Sequence, residues 1–241
     1  MFAVDHAATA LLIKRRYPTV SIAPILVSVQ AMELLWVALN YAGIERTTTD
    51  ATVRSVANIH LTYMPYSHSV ATGIGGALIA WLVVEKGLGR PLLGRAVGIG
   101  FISHLILDLV THAPDIVLAP GLSMPRFGLG LYDRAPMWGF ALEMVYGVVC
   151  WWIYQGRGWL LAVIVIGNLS NITLFSASIP GPEQYMAGRP LLLVTVIFVQ
   201  IVTMLVLVGL LSRRATAGDA AQPLERPVRD PVAANPRQRR A

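Results

Sequence analysis

The chain has 241 residues, of which 55% are hydrophobic and only 13% are charged. Soluble domains carry roughly 25% charged residues, so this composition excludes an ordinary soluble enzyme and indicates an integral membrane protein. The formal net charge of +6 comes from loop and tail arginines, and we expect membrane lipids as partners rather than nucleic acid.

The N-terminal segment, residues 2–13, is apolar but too short to cross a bilayer, which takes roughly 20 helical residues. It carries Asp5 and His6 and is followed by the basic cluster Lys14-Arg15-Arg16. A secretory signal peptide has its basic residues before the apolar run, so we expect a short N-terminal helix that is not cleaved.

Six apolar segments follow that are long enough, or nearly so, to span a membrane as helices. They cover residues 19–44, 69–84, 92–113, 137–154, 158–179 and 190–211. The sequence therefore predicts an all-α, polytopic membrane bundle in residues 1–212, with about six transmembrane helices after the short N-terminal helix. Residues 213–241 are rich in Arg, Pro, Ala and Gln, a composition that predicts a disordered basic tail.

Loop charge predicts the orientation of the bundle, because cytoplasmic loops are enriched in Lys and Arg. With the N-terminal basic cluster placed inside, fourteen of the 19 basic residues fall on the cytoplasmic side and the other five fall outside. We therefore expect both termini to lie in the cytoplasm.

The first predicted span contains Glu33, on one helical face with Gln30 and Asn40. Glu33 is a candidate metal ligand or general base, and an interhelical hydrogen bond is the alternative. His68 lies in the tract Ser67-His68-Ser69 directly before the second span, where such a tract is typical of a helix cap. We nevertheless predict that His68 is a metal ligand, whereas His60 in the preceding polar loop is expected to be exposed.

The third span holds the most informative pattern, since residues 101–115 read FISHLILDLVTHAPD. His104, Asp108 and His112 are four residues apart and therefore share one helical face. A carboxylate in the middle of a lipid-spanning helix costs about 2.5–3.5 kcal/mol, so Asp108 requires a partner. Two imidazoles and a carboxylate in a row can bind one cation, although His112 at the helix end is also explained as an exposed cap.

The other ionisable groups lie at comparable depth. A rise of 1.5 Å per residue, counted from the basic ends of the spans, places them roughly 12–27 Å from the cytoplasmic side. They are His6, Glu33, His68, His104, Asp108, His112 and Glu143. We expect these groups to converge, with Glu33 or Glu143 as general base. Imidazole and carboxylate without thiolate favour a divalent transition metal, with zinc ahead of manganese or iron.

The series His6, a carboxylate on the next helix, Ser67-His68-Ser69 and His104-x-x-x-Asp108 resembles the bacterial YdjM-like group of inner-membrane, metal-dependent hydrolases, also described as LexA-binding. Members of that group look like small helical membrane proteins with an N-terminal histidine, a Pro-Asp-x-Asp motif, a Thr-His-Ser motif and a late His-x-x-x-Asp motif. The resemblance covers roughly residues 1–145. The chain departs from the pattern at residues 30–33, where Pro-Asp is missing, and at residues 64–66, where an Arg-Gly pair would be usual.

The resemblance implies that His6, Glu33, His68, His104 and Asp108 form the site of a hydrolase in the bacterial inner membrane. Hydrolysis of a lipid-borne ester or phosphoester is the function we predict, with a lipid-soluble or membrane-proximal substrate. A metal-ion or proton transporter could use the same residues as a conduction relay. A third hypothesis is a structural membrane protein whose polar groups only lock helix packing.

Overall fold

The computed structural model describes residues 1–212, so the predicted basic tail, residues 213–241, lies outside the described part of the chain. Over residues 1–212 the fold is mainly helical. The helices are α1 (Ala3–Arg16), α2 (Ile22–Val29), α3 (Ala31–Tyr41), α4 (Val70–Leu82), α5 (Pro91–Thr111), α6 (Leu131–Arg134), α7 (Pro136–Tyr154), α8 (Gly158–Leu169), α9 (Ile172–Phe175) and α10 (Pro190–Leu211). A π-helical turn, Val83–Gly87, extends α4, and short 3₁₀ turns occupy Val56–Asn58 and Pro182–Met186.

The short N-terminal helix α1 lies in the interior of the bundle. It packs against α2, α5, α7, α8 and α10, and Val4, Ala7, Ala8 and Leu11 are fully buried. The alanines leave room for the neighbouring helices to approach closely. The polar residues at the start of α1 are therefore carried into the centre of the protein.

Four helices are long and apolar enough to cross a membrane, namely Val70–Gly87, Pro91–Thr111, Pro136–Tyr154 and Pro190–Leu211. The pair α2 and α3 forms a fifth candidate if it is counted as one span bent by 55°. The prediction of six spans is therefore not confirmed. Large apolar side chains such as Trp138, Trp152 and Leu210 are exposed on the outside of the bundle, as expected for a surface that faces lipid.

The predicted fifth span is interrupted where α8 ends after 12 residues, at Leu169. Ser170 Oγ donates a hydrogen bond to the Gly167 carbonyl at 2.7 Å, and Asn171 Nδ2 donates to the same carbonyl at 3.0 Å. Side chains that bond to the preceding turn compete with the helical backbone for that acceptor. An average of hydropathy over residues 158–179 does not register this local competition.

The predicted first span is also broken, at Gln30 between α2 and α3. The Gln30 side chain turns inward and its Nε2 donates to the Ala3 carbonyl of α1 at 2.7 Å. Asn40 instead accepts a hydrogen bond from Thr47 Oγ1 at 2.9 Å, at the base of the following loop. Glu33 and Asn40 therefore both lie on α3, and Gln30 lies at the break directly before it.

The two long loops form small sheets at one end of the bundle. Strands β1 (Arg46–Thr49) and β2 (Ile59–Tyr63) pair antiparallel, as do β3 (Ile116–Val117) and β4 (Arg126–Phe127). Ser69 forms a bridge with Val117, which ties the start of α4 to the second loop. These contacts hold the Ser-His-Ser tract beside the end of α5.

Close packing between α4 and α5 fixes the position of the helix that carries Asp108. A Cβ atom at Gly73 would lie 2.6 Å from a Leu105 methyl carbon, and one at Gly76 would lie 2.4 Å from the Phe101 ring. A side chain at either position would force Leu105 or Phe101 to shift. The glycines therefore set how closely α5 approaches α4.

Candidate metal centre

Asp108 is the centre of a buried cluster, and the predicted spacing on α5 is confirmed as one helical face. His104 Nε2 lies 3.0 Å from Asp108 Oδ2, and His112 Nε2 lies 3.9 Å from Asp108 Oδ1. The side chain of Asp108 is only 1% exposed. The carboxylate predicted to require a partner thus lies beside one imidazole of its own helix and a second at the residue that follows the helix.

Three further elements bring ionisable groups to the same carboxylate. His6 Nε2 on α1 lies 3.2 Å from Asp108 Oδ1, and His68 Nε2, just before α4, lies 3.5 Å from Asp108 Oδ2. Glu33 Oε2 on α3 lies 3.1 Å from His68 Nε2 and 3.7 Å from His104 Nε2. Residues far apart in the sequence therefore converge as the pattern predicted.

The inward-facing atoms of this cluster have no hydrogen-bond partners among the described residues. They are His6 Nδ1 and Nε2, His68 Nε2, His104 Nε2 and Asp108 Oδ2. Several lie close to one another, but their geometry is not that of hydrogen bonds. Burying a polar atom without a partner is costly, and native proteins seldom tolerate it. Several such atoms aimed at one another indicate a site for a cation.

Distances within the cluster fit a shared cation. Donor atoms of His6, His104 and Asp108 lie within 4.8 Å of one another, and so do donor atoms of Glu33, His68 and His104. Two ligands bound to one cation at about 2.0–2.2 Å can be at most roughly 4.4 Å apart. The separations of 3.0–3.9 Å between imidazole nitrogens and carboxylate oxygens satisfy this limit.

The outward nitrogens of three histidines are held by oxygen atoms. His104 Nδ1 donates to the Val29 carbonyl at 2.8 Å, beside the break between α2 and α3. His112 Nδ1 lies 3.3 Å from Asp115 Oδ1, and His68 Nδ1 lies 2.8 Å from Ser67 Oγ. A proton held on Nδ1 leaves the Nε2 lone pair free, which is the usual arrangement of a metal-binding histidine.

Glu45 adds further hydrogen bonds to the residues that orient His68. The sequence pattern did not predict a role for it. Its Oε1 accepts hydrogen bonds from the Tyr66 and Ser67 amides at 2.9 and 2.8 Å. Its Oε2 accepts from Ser67 Oγ at 2.5 Å. Because a carboxylate only accepts, Ser67 must donate to Glu45 and can accept from His68 Nδ1.

The Asp108 carboxylate also contacts the start of α1. The Met1 nitrogen lies 2.6 Å from Asp108 Oδ1 and 2.8 Å from Thr111 Oγ1. Thr111 was not among the predicted site residues, although it lies three positions after Asp108 on α5. The first residues of the chain are thus held directly against the cluster.

Glu143, the second predicted base, is buried beside this N-terminal turn and serves a different set of contacts. Its Oε1 accepts a hydrogen bond from the Phe2 amide at 3.0 Å and another from the Tyr132 hydroxyl. Glu143 is therefore joined to the cluster through residues 1 and 2. Its role as general base stays a prediction.

His60 is exposed, as predicted, and takes no part in the cluster. Its Nε2 lies 2.8 Å from Asp50 Oδ1, at the rim of the β1–β2 hairpin. Hydrogen bonds from Asn58 and His60 hold the pKa of the Asp50 carboxyl below its usual range. This solvated pair is a useful control for the buried histidines.

A cavity of about 750 Å³ adjoins the cluster. His6, Glu33 and His112 are among the residues that line it, and the β1–β2 hairpin contributes Val56 and Leu61. Helix α10 contributes the apolar side chains Leu193, Val196 and Ile197. The cluster is therefore accessible from a space large enough for an organic ligand.

Comparisons with protein-family models, with curated proteins and with solved structures found no match for this chain. The resemblance to the YdjM-like group is therefore one of short sequence motifs alone.

Proposed function

We propose that this chain is a membrane-embedded, metal-dependent hydrolase that cleaves a lipid-borne ester or phosphoester. The observation that carries this proposal is the convergence of four imidazole Nε2 atoms on two carboxylates in one buried cluster. The proposed metal ligands are His6, His68, His104, His112 and Asp108. The motifs that resemble those of the YdjM-like group support the same activity.

The donor set suits a divalent transition metal, with zinc as the first candidate and manganese or iron as alternatives. When bound, such an ion supplies Lewis-acid activation and brings the pKa of its water to about 7. The chain's own contribution is to present unprotonated Nε2 atoms. It does so by holding the Nδ1 protons of His68, His104 and His112 on outward acceptors.

Glu33 is the group best placed to accept a proton during hydrolysis. Its side chain is 23% exposed, whereas that of Asp108 is 1% exposed. It also lines the cavity beside the cluster. Glu143 already accepts hydrogen bonds from Phe2 and Tyr132, so we propose that it positions the N-terminal turn.

A lipid-borne substrate fits the cavity better than a small polar one. One wall is formed by apolar side chains of α10, which is a candidate membrane span. The lining also includes charged residues, among them Arg126 of β4 and Asp133 of α6. A substrate with its tail against α10 and its polar group toward Glu33 would match both walls.

The test compares wild-type protein with Glu33→Gln in detergent micelles at saturating zinc. The probes are a fluorogenic glycerophospholipid and a fluorogenic fatty-acyl ester. Loss of the proton acceptor should lower turnover roughly 10²–10⁴-fold, while Glu85→Gln, in the π-helical turn and outside the cavity lining, should leave it unchanged. The metal content of each protein is measured in parallel. No hydrolysis of either probe by metal-loaded wild-type protein would contradict the proposal, and unchanged turnover in Glu33→Gln would transfer the base role to Glu143.

A metal-ion or proton transporter is the second candidate, because polar groups continue along α1 beyond the cluster. Both carboxylate oxygens of Asp5 are buried and have no hydrogen-bond partner within residues 1–212, and Thr9 Oγ1 lies 2.7 Å from the Tyr146 hydroxyl. A relay would give metal or proton flux in proteoliposomes that Asp5→Asn abolishes, with no hydrolysis of either probe. Absence of both flux and hydrolysis would leave only the structural hypothesis.

A further inference from the structure

The cavity beside the cluster is lined by more negative than positive side chains. Among residues 1–212, four of the lining residues carry a carboxylate and one carries a guanidinium group. They are Glu33, Asp115, Asp133, Glu183 and Arg126. The Met1 amino group also lines the cavity, but it is paired with Asp108 at 2.6 Å. The charge of the lining therefore favours a cation over an anion.

The four carboxylates do not all belong to the candidate metal centre. Glu33 Oε2 lies 3.1 Å from His68 Nε2, so Glu33 would share a cation bound there. Asp115 Oδ1 instead faces His112 Nδ1, whereas His112 Nε2 is the ring nitrogen that faces Asp108. A cation in the centre would thus neutralise Glu33 and leave the other three carboxylates of the lining in place.

Asp133 is the most exposed of these three carboxylates. It lies on α6, which starts beside the end of α5 because the Gly130 amide donates to the His112 carbonyl at 2.6 Å. Glu183, by contrast, is buried and accepts a hydrogen bond from Thr173 Oγ1 at 3.0 Å. Asp133 is therefore the carboxylate best placed to meet a positive charge on a ligand.

The lining also contains a hydrogen-bond donor that lacks an acceptor. Trp36 lies three residues after Glu33 on α3, which places both on one helical face, and both line the cavity. Trp36 is 1% exposed, and its Nε1 has no hydrogen-bond partner among the described residues. An indole N–H can only donate, and leaving it buried and unpaired is costly. A phosphoryl oxygen of a ligand would supply the missing acceptor.

We propose that the cavity binds a phosphoester lipid with an amine-bearing headgroup, with a phosphoryl oxygen at Trp36 Nε1 and the ammonium group at Asp133. This proposal rests on the hydrolase function proposed above and names its substrate class. A phosphoryl group and an ammonium group in one headgroup satisfy the indole donor and the carboxylates together, whereas an anionic headgroup would be repelled by the carboxylates. The apolar side chains of α10 remain available to the lipid tails.

The experiment measures lipid binding separately from hydrolysis. The probes are two phosphinate lipids with short ether-linked tails, in which methylene groups replace both bridging oxygens of the phosphate, so neither can be hydrolysed. One headgroup ends in an aminoethyl group and the other in a hydroxyethyl group, so the probes differ in the ammonium charge. Equilibrium dialysis against full-length protein in detergent with zinc gives both affinities. Wild-type protein should bind the aminoethyl probe roughly two- to fivefold more tightly.

Three positions in the lining test the assignment. Asp133→Asn should remove most of the preference for the aminoethyl probe, and Asp133→Lys should reverse it. Arg126→Gln removes the opposite charge from the same lining and should keep or increase the preference. Trp36→Phe should weaken the binding of both probes alike, by roughly two- to tenfold, because both carry the phosphoryl oxygen.

Equal binding of the two probes by wild-type protein would overturn the headgroup assignment and leave the hydrolase proposal intact. An unchanged preference in both Asp133 variants, with melting temperatures like that of wild-type protein, would overturn it as well. Undiminished binding of both probes by Trp36→Phe would overturn the phosphoryl contact. A preference for the aminoethyl probe in a protein that hydrolyses no lipid would support the binding site and remove the hydrolase function.

Discussion

Glu45 lies outside the cluster but is connected to it through a chain of hydrogen bonds. It binds Ser67 through both the amide and the hydroxyl, and Ser67 Oγ in turn contacts His68 Nδ1. This arrangement fixes both the tautomer and the ring orientation of His68. We regard Glu45 and Ser67 as positioning residues, because neither side chain approaches Asp108 directly.

Removing the Ser67 hydroxyl tests this role. Ser67→Ala takes away the acceptor for His68 Nδ1 and leaves Glu45 Oε2 without its donor. Loss of such support typically weakens metal binding by about 10–100-fold. Ser67→Thr keeps the hydroxyl and should restore most of the affinity. Metal affinity by competition with a chromophoric chelator is the measurement, and equal affinity in wild-type protein and Ser67→Ala would exclude the positioning role.

At the scale of secondary-structure elements, the break between α2 and α3 and the end of α5 position the histidines of the candidate metal centre. The break at Gln30 lies next to the Val29 carbonyl, which accepts the hydrogen bond from His104. Ending α5 at Thr111 puts His112 at a turn, where Asp115 can reach its ring. In a membrane, irregular backbone of this kind is tolerated where it is buried in protein or lines a cavity.

The loop after α5 packs closely over His112, and this packing requires a glycine at position 128. The Gly128 backbone has φ +138°, and a Cβ there would lie 2.1 Å from the Ala113 carbonyl oxygen. The neighbouring Gly130 amide donates to the His112 carbonyl at 2.6 Å. A side chain at position 128 must therefore displace the loop from the end of α5.

Gly128→Ala should lower the melting temperature and weaken metal binding. The control is Gly121→Ala in the same loop, which has a positive φ of +86° but nothing within 4 Å of a built Cβ. Both substitutions carry backbone strain, but only the first carries the clash. Differential scanning fluorimetry and chelator competition measure the two effects. Equal behaviour of the two variants would show that the loop does not support His112.

At the scale of the whole molecule, the ends of three helices lie together at one end of the bundle, and the end of α1 is basic. The Arg15 side chain at the end of α1 contacts the Ile153 carbonyl at the end of α7. The Tyr154 hydroxyl contacts the Ser212 carbonyl directly after α10. The ends of α1, α7 and α10 therefore lie together. This grouping agrees with the predicted assignment of Lys14–Arg16 and Arg157 to one side of the membrane.

The predicted orientation is tested by reporter fusions. A reporter that is active only in the cytoplasm should give a signal when it is fused after Ala241, because cytoplasmic loops attract the basic residues. The same reporter inserted beside Arg126, in the loop at the metal-site end, should be silent. A reporter that is active only outside the cytoplasm provides the complementary control. Signals from both positions, or from Arg126 alone, would contradict the topology.

The sequence by itself determined the membrane character of the chain and the register of α5. Apolar composition is a sum over residues, and the spacing of His104, Asp108 and His112 follows from the helical period. Both properties are local, so they can be calculated without knowing how helices pack. The approach of His6, Glu33 and His68 to Asp108 was also predicted, because helical rise sets depth in a membrane.

Only the tertiary structure showed the breaks that limit the candidate spans to four or five among residues 1–212, the contacts of Glu45 and the contact of Met1 with Asp108. Side chains bond to backbone both at the break at Gln30 and at the end of α8, and hydropathy averages do not register such contacts. Glu45 and Ser67 are 22 residues apart, and Val29 and His104 are 75 apart. No periodicity links such pairs, because their contacts form only when separate helices and loops pack around α1.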